Sequence, residues 1–165
     1  MNDLQDRLIK VSIARQRLQL WQGEDCIFTS QVATATNGPG EQSGSECTPR
    51  GAHIIRAKIG AGCVANTVFI ARRPSGEIYS PALRAEHPQR DWILSRILWL
   101  SGIEPGRNRL GKVDTMRRYI YIHGCPDEEP VGSPGSHGCI RMRNAEVIAL
   151  FDLVDPGTPV FISED

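Results

Sequence analysis

Alternation of apolar and polar residues in the first third of the chain constrains the fold most. The segments LIKVSIA (8–14) and RLQLW (17–21) place apolar residues at every second position, and CIFTSQVAT (26–34) continues the pattern more loosely. Successive side chains of a strand point to opposite faces, so this pattern predicts strands with one face on a core. Further strands are predicted at AHIIRAKI (52–59), TVFIAR (67–72), RRYIYIHG (117–124) and TPVFIS (158–163).

Two later segments have helical spacing. In DWILSRILWLSG (91–102) the apolar residues are Trp92, Ile93, Ile97, Leu98 and Leu100. Asp91 is the predicted N-cap and Gly102 the predicted stop, so the segment is interpreted as a helix that packs on the core or covers a groove. NAEVIALFDLV (144–154) predicts an amphipathic helix capped by Asn144.

The tally predicts a mainly β fold of the α+β class, a β-sandwich or barrel-like sheet with one or two packed helices. The 165 residues fit one domain covering 1–165. The stretch 36–51 is dense in turn-forming residues and predicts a long exposed loop.

Charge and hydropathy exclude some partners. Nineteen basic residues balance nineteen acidic ones, which argues against nucleic acid. No stretch approaches the ~20 apolar residues of a membrane helix, and no signal-peptide pattern is visible. If Met1 is the native start, we expect a cytoplasmic protein, whereas an earlier start leaves a periplasmic location open. The five cysteines are an odd number, which fits thiols in a reducing compartment.

The segment from Tyr119 to Arg143, YIYIHGCPDEEPVGSPGSHGCIRMR, carries the chemistry. His123 ends a predicted strand, and Cys139 follows sixteen positions later, after a glycine-rich loop that can return to the strand end. A free thiol has a pKa of about 8.5 and needs a neighbouring base to act as a nucleophile at neutral pH. The pattern therefore predicts Cys139 as nucleophile and His123 as its base.

Two backbone features would complete such a site. The histidine must be oriented through its other ring nitrogen, and the carbonyl of Gly124 is a candidate acceptor. The amides of Gly138 and Cys139 are candidate donors to the oxyanion, each worth about 3 kcal/mol in the transition state.

A metal site is the alternative reading of the same residues. His123-Gly-Cys125 and His137-Gly-Cys139 supply two histidines and two cysteines, the ligands of a structural zinc ion. The H-x-C spacing is atypical of zinc sites in small proteins, which favours the enzyme. A zinc-stabilised binding module remains the competing hypothesis from another class.

The motifs resemble those of the YkuD-type L,D-transpeptidase catalytic domain. That family has a His-Gly and then, after about a dozen residues, Ser-His-Gly-Cys; here these are His123-Gly124 and residues 136–139. The stretches IKVSIARQRLQLWQ, CTPRGAHII, VGSP and NAEVIALFDLVDPGTPVFI resemble the opening hairpin, a TPTG-like stretch, an IG-x-P motif and the closing helix and strand. The resemblance covers nearly the whole chain.

The resemblance implies a β-sandwich-like fold with Cys139, His123 and Gly124 in catalytic roles at the mouth of a groove. It implies peptidoglycan stem peptides or muropeptides as substrates, with no cofactor and no metal. We expect the substrate to be contacted by Arg141, Ser136, His137, Gly138, Tyr121 and Arg118. The region 84–118 is expected to be a helical insert that shapes the groove.

The reaction is expected to be cleavage of the bond between the L-centre of a diamino acid and D-Ala through an acyl-enzyme. With water as acceptor this is L,D-carboxypeptidase activity in murein recycling, the favoured interpretation. With an amine as acceptor it is cross-linking or D-amino acid exchange. A degenerate member that binds without turnover is a third hypothesis. Cys125 stands where the family usually has Thr, and a disulfide with Cys139 would silence the enzyme.

Overall fold

A computed structural model describes residues 6–165. Met1, on which the expected location depends, lies outside the described residues. Within residues 6–165, the strands are β1 (Arg7–Ser12), β2 (Arg17–Gln22), β3 (Asp25–Gln31), β4 (Gly51–Ile59), β5 (Thr67–Ile70), β6 (Arg73–Ile78), β7 (Leu94–Gly102), β8 (Tyr121–Cys125), β9 (Ile140–Arg143) and β10 (Pro159–Ser163). The helices are α1 (Pro81–Glu86) and α2 (Asn144–Leu153), with a short 3-10 helix at Gly111–Val113.

The strands form one sheet that forks at β7. The order is β3-β2-β1-β10-β4-β7-β5-β6, and β8 also pairs with β7 and carries β9. Only β1–β10 and β8–β9 are parallel among the strand pairs of residues 6–165. The parallel pair β8–β9 brings His123 and the residue directly before β9, Cys139, to neighbouring positions.

The sheet curls around α2, which packs against β7, β8 and β9. Val147, Leu150 and Phe151 of α2 are buried against inward-facing residues of β1, β2, β4, β7, β8, β9 and β10. Each such side chain contributes roughly 1.5–3 kcal/mol through burial. The predicted mainly β fold, a curled sheet with packed helices, is confirmed.

The predicted helix at 91–102 is wrong, because this segment forms the central strand β7. Strand β7 is buried along nearly its whole length, with α2 near one face, so apolar residues occupy both faces and the period-two signal is lost. A short apolar run of this kind cannot be assigned to helix or strand by periodicity alone. Asp91 is therefore no N-cap, and 84–118 is not a helical insert, since it contains the strand on which the sheet forks.

The helix that precedes β7 was missed. In α1, Ser80 is the N-cap and its hydroxyl accepts a hydrogen bond from the Leu83 amide at 3.1 Å, with Pro81 at the first position. Ser-Pro at a helix start is a favourable combination. The second helix is confirmed as α2. The predicted N-cap is wrong, because Arg143 is the N-cap and Asn144 is the first helical residue, with its side chain buried. Neither helix in residues 6–165 has the length and apolar character that a membrane crossing requires.

Candidate active site

The register of β8 and β9 places the predicted nucleophile and base on one face of the sheet. Ile122 pairs with Ile140 and His123 with Arg141, so Cys139, one residue before β9, lies beside Tyr121. Alternation along each strand then puts Tyr121, His123, Cys139 and Arg141 on the same face. Ile122 and Ile140 face the core on the other side.

This face borders a cavity of about 520 Å³. The cavity brings together seven of the predicted site residues, namely His123, Cys139, Arg141, Ser136, His137, Tyr121 and Arg118. Gly124 and Gly138 contribute backbone groups beside it: the Gly124 carbonyl oxygen contacts His123, and the Gly138 amide donates to Ser136. The cavity is also lined by Arg72, Asp91 and Tyr119, for which sequence analysis predicted no role at the site.

His123 is fully buried and held in one orientation. Its Nδ1 lies 2.7 Å from the carbonyl oxygen of Gly124. Because a carbonyl only accepts, Nδ1 carries the proton, and Nε2 of the neutral ring is free to accept one. Nε2 is buried and has no hydrogen-bond partner within residues 6–165. Burial lowers the pKa of His123 below its ordinary value, so the ring is neutral at pH 7.

Gly124 has a steric reason to be glycine. A Cβ at this position would lie 2.6 Å from the carbonyl oxygen of Leu94 and 2.5 Å from the Oδ1 of Asn144. Asn144 is itself fixed, because its Nδ2 donates to the carbonyl oxygen of Cys125 at 2.8 Å and its Oδ1 accepts from Ser95 at 2.6 Å. The backbone that orients His123 is therefore packed tightly against β7 and α2.

Cys139 is half-buried, and its sulfur is held by the backbone of the preceding segment. The Tyr121 amide donates to Sγ at 3.3 Å, and the thiol donates to the Tyr119 carbonyl oxygen at 3.4 Å. Burial raises the pKa of the Cys139 thiol to about 12. Tyr119 adopts a left-handed backbone conformation with φ 56°, which is strained for a bulky residue.

The Ser-His-Gly-Cys segment is a tight turn closed by its own side chains. The Ser136 hydroxyl donates to the Cys139 carbonyl oxygen at 2.5 Å and accepts from the Gly138 amide at 3.2 Å. Gly138 has φ 131°, and the Thr48 hydroxyl donates to its carbonyl oxygen at 2.9 Å. Because the Gly138 amide already donates within the turn, the Cys139 amide is the better candidate oxyanion donor of the predicted pair.

The two predicted arginines are engaged by the protein itself. Arg141 pairs with Asp91 at 3.1 Å and Glu129 at 3.5 Å, and also donates to the Gly135 carbonyl oxygen at 3.0 Å. Arg118 donates to backbone carbonyl oxygens of the 36–51 loop, including that of Cys47 at 2.6 Å. Arg141 therefore stabilises the loop between β8 and β9, and Arg118 stabilises the 36–51 loop beside the cavity.

Sequence reasoning missed several residues that build this site. Arg72 comes from the β5–β6 hairpin, Asp91 precedes β7, and Thr48 belongs to the 36–51 loop. Their roles depend on contacts between distant segments, which no local pattern reports. Thr48 lies inside the CTPRG stretch, so that motif was the available signal.

The zinc alternative does not fit the structure. Tyr121, the neighbour of Cys139, and Cys125 are four residues apart on β8, which is about 13 Å along a strand. Two sulfurs that share a zinc ion must lie within about 5 Å of each other. Among residues 6–165, no group of three or more His, Cys, Asp or Glu is placed to hold a metal ion.

The same distance removes the predicted disulfide between Cys125 and Cys139. A disulfide needs Cα atoms about 4.4–6.8 Å apart. The Cys125 thiol is buried and donates instead to the Met142 carbonyl oxygen at 3.3 Å. That hypothesis is therefore wrong for the folded protein.

The fold is a curled, mainly β sheet, and its cavity holds a thiol and an oriented imidazole. A cysteine and a histidine in one cavity are typical of sites suited to acyl transfer. The family described as YkuD, L,D-transpeptidase catalytic domain, matches residues 6–162. The chain belongs to this family, and the resemblance noted from its motifs is confirmed.

A relative and several solved structures show the same likeness. "Putative L,D-transpeptidase YqjB" of Bacillus subtilis (strain 168) is 52% identical over 48 residues, which are 29% of this chain and 27% of that protein. L,D-transpeptidase 3 of Mycobacterium tuberculosis, in complex with a faropenem-derived adduct, aligns with a TM-score of 0.57 at 14% identity over 96% of this chain and 60% of that one.

An L,D-transpeptidase from Mycobacterium smegmatis aligns with a TM-score of 0.55 at 14% identity, over 96% of this chain and 58% of that one. At such identities the likeness shows the fold. The chain spans about three fifths of these two structures and about a quarter of the curated relative.

Proposed function

We propose that this protein is a cysteine acyl-transfer enzyme in which Cys139 is the nucleophile, His123 is the base and the Gly124 carbonyl orients the base. One observation carries the proposal. The Nε2 of His123 is buried without a hydrogen-bond partner within residues 6–165, and His123 lines the same cavity as Cys139. Buried polar atoms are rarely left unpaired, and catalysis is one reason that they are.

The resting pair is neutral. Burial lowers the pKa of His123 and raises that of Cys139 to about 12, so at pH 7 the sulfur carries its proton and Nε2 does not. The resting thiol donates its proton to the Tyr119 carbonyl oxygen, so the S–H bond first turns toward Nε2. As Sγ then forms a bond to the substrate carbonyl carbon, this proton passes to Nε2, which later gives it to the departing amine. The Gly124 carbonyl stabilises the imidazolium that forms in between, and the Tyr121 amide stabilises negative charge on sulfur.

We propose peptidoglycan stem tetrapeptides as substrates, cleaved between the L-centre of the diamino acid and D-Ala. Membership of the L,D-transpeptidase family supports this substrate class. The positive charge of Arg72 and Arg118, which line the cavity and form no salt bridge within residues 6–165, supports it as well, because stem peptides carry several carboxylates. The faropenem-derived adduct on the structural neighbour supports a site that reacts with acyl donors.

Water is the proposed acceptor, which makes the activity that of an L,D-carboxypeptidase in murein recycling in the cytoplasm. The five free cysteines support a reducing compartment, since an exposed thiol such as Cys26 persists there. Transfer to an amine, giving cross-links or exchange of D-amino acids, is the alternative that uses the same acyl-enzyme.

The test is mass spectrometry of a stem tetrapeptide incubated with the protein, with and without an added D-amino acid. Tripeptide as the only product in both reactions supports hydrolysis. An exchanged or cross-linked product shows transfer and overturns the choice of water. The Cys139→Ala protein should give no product, while Cys125→Ala should retain activity. Binding of the peptide without any product would identify a degenerate member of the family and overturn the proposed catalysis.

A further inference from the structure

Arg72 occupies an unusual position at the edge of the cavity. It lies with Ala71 in the two-residue turn between β5 and β6, and both residues have positive φ, 65° for Arg72 and 48° for Ala71. Turns of this kind strongly favour Asn and Gly, because other side chains are strained there. Strained backbone at the border of a site is often retained for function.

Aromatic residues fix the guanidinium of Arg72 over the cavity. Its Cζ lies 4.7 Å from the ring centroid of Tyr119 and 5.0 Å from that of Trp99. Its Nη1 donates to the Tyr121 hydroxyl at 3.0 Å. Tyr119 and Tyr121 are the same two residues whose backbone holds the Cys139 sulfur, so Arg72 is positioned relative to the nucleophile.

The hydrogen bonds of the three cavity arginines distinguish Arg72 from the others. Arg141 is paired with two carboxylates, and Arg118 is surrounded by carbonyl oxygens of the 36–51 loop. Arg72 makes one hydrogen bond with the rest of residues 6–165, although a guanidinium has five N–H donors. No carboxylate oxygen of an Asp or Glu in that range lies within 4.0 Å of its guanidinium nitrogens.

We propose that Arg72 binds a carboxylate of the peptide substrate and so selects acidic peptides for Cys139. This inference rests on the proposed function, which supplies the peptide. A guanidinium with free donors recognises a carboxylate through two parallel hydrogen bonds. Stacking on aromatic rings occupies the face of the guanidinium and leaves the N–H groups at its edge available. The carboxylate is either the C-terminal one of the departing D-Ala or the one on the side chain of the diamino acid.

The experiment compares three tetrapeptides: the free acid, the C-terminal amide and the peptide amidated at the diamino acid. Release of the terminal residue gives kcat and KM, and calorimetry on the Cys139→Ala protein gives Kd. For the free acid, Arg72→Asn should raise KM and Kd on the order of 10- to 100-fold with little change in kcat. Arg73→Gln, which removes the exposed neighbouring arginine, is the matched control and should leave both unchanged.

The amides identify the carboxylate. If the amidated carboxylate is the one that Arg72 binds, the amide should bind the wild type as weakly as the free acid binds Arg72→Asn. The amide should then bind Arg72→Asn no more weakly still, because the same interaction has already been lost. Asn tolerates positive φ, so the turn should persist, and thermal unfolding checks this. Equal KM and Kd for wild type and Arg72→Asn, or effects that multiply for both amides, would overturn the proposal.

Failure of the proposed function gives a different result. In that case the wild type releases no terminal residue, while the calorimetric comparison of Cys139→Ala with and without Arg72→Asn still measures carboxylate binding. If no peptide binds to Cys139→Ala at all, both proposals are overturned.

Discussion

The Nδ1 of His123 lies 2.7 Å from the carbonyl oxygen of Gly124, its own neighbour in the chain. Enzymes that use an imidazole as a base usually orient it with a separate side chain. Here the orienting group is backbone that is packed between β7 and Asn144. The orientation of His123, the proposed base, therefore depends on packing at Gly124.

Gly124→Ala should displace the His123 backbone. The new Cβ would lie 2.6 Å from the Leu94 carbonyl oxygen, so the strands must shift, at a cost of about 1–3 kcal/mol in stability. A misplaced imidazole should lower kcat about 100-fold. Gly135→Ala is the control, because the nearest atom to its Cβ is 4.0 Å away on Arg141. Equal kcat for Gly124→Ala and wild type would contradict the role assigned to this carbonyl.

The pH dependence of kcat/KM should show a single acidic limb. In the proposed mechanism the reactive form needs neutral His123, and burial holds the pKa of this residue below the ordinary value of about 6.5. Activity should therefore rise with pH, reach half its maximum below pH 6.5 and stay level to pH 9, because the Cys139 pKa is about 12. A bell-shaped profile centred below pH 8 would indicate a thiolate–imidazolium pair and contradict the neutral resting state.

Acid should destabilise the fold partly through His53. This residue is buried, and desolvation lowers its pKa to about 4. The unfolded chain binds a proton near pH 6.5 and the folded one does not, so stability falls as the pH drops from about 6.5 toward 4. The contribution of His53 is about 2 kcal/mol between pH 8 and pH 5.

Urea unfolding of wild type and His53→Gln at these two pH values measures this effect. The variant should be less stable at pH 8, because His53 bonds to Thr115 at 2.9 Å and to the Gly51 carbonyl oxygen at 3.0 Å. Its stability should nevertheless change less with pH than that of the wild type. An unchanged pH dependence would show that folding does not lower the pKa of His53.

Cys125→Ser should give no protection against peroxide. Cys125 lies about 13 Å along β8 from the neighbour of Cys139, which is too far for a disulfide in the folded protein. Loss of activity under peroxide should therefore follow the same time course in the variant and in the wild type. Slower inactivation of the variant would require a folded state in which the two sulfurs meet.

Sequence reasoning pointed to His123 and Cys139, which the structure places in one cavity, because His-Gly and Ser-His-Gly-Cys are local patterns with a chemical meaning. It also found the outer strands, whose two faces differ in polarity, and α2. It failed at β7, where both faces are buried and the apolar run imitates a helix. It did not predict the protein partners of Arg118 and Arg141, including the Cys47 carbonyl oxygen and Asp91, because these are distant in the chain. Substrate contact by the two arginines stays a prediction.

Arg72 was not predicted for a related reason. Nothing in the residues around it marks the turn, since Ala71 and Arg72 are not typical of a two-residue hairpin connection. Its neighbours Trp99, Tyr119 and Tyr121 come from β7 and from the segment around the start of β8. Only the pairing of β5 with β7 and of β7 with β8 brings these residues together.

The proposed mechanism requires Cys139 to form the acyl-enzyme with His123 as its base. Intact-protein mass spectrometry after incubation with faropenem or a carbapenem, followed by peptide mapping, tests this most directly. We predict one adduct on Cys139 in the wild type, much slower formation in His123→Ala and none in Cys139→Ala. An adduct that maps to another cysteine, or one that forms equally fast without His123, would contradict the account.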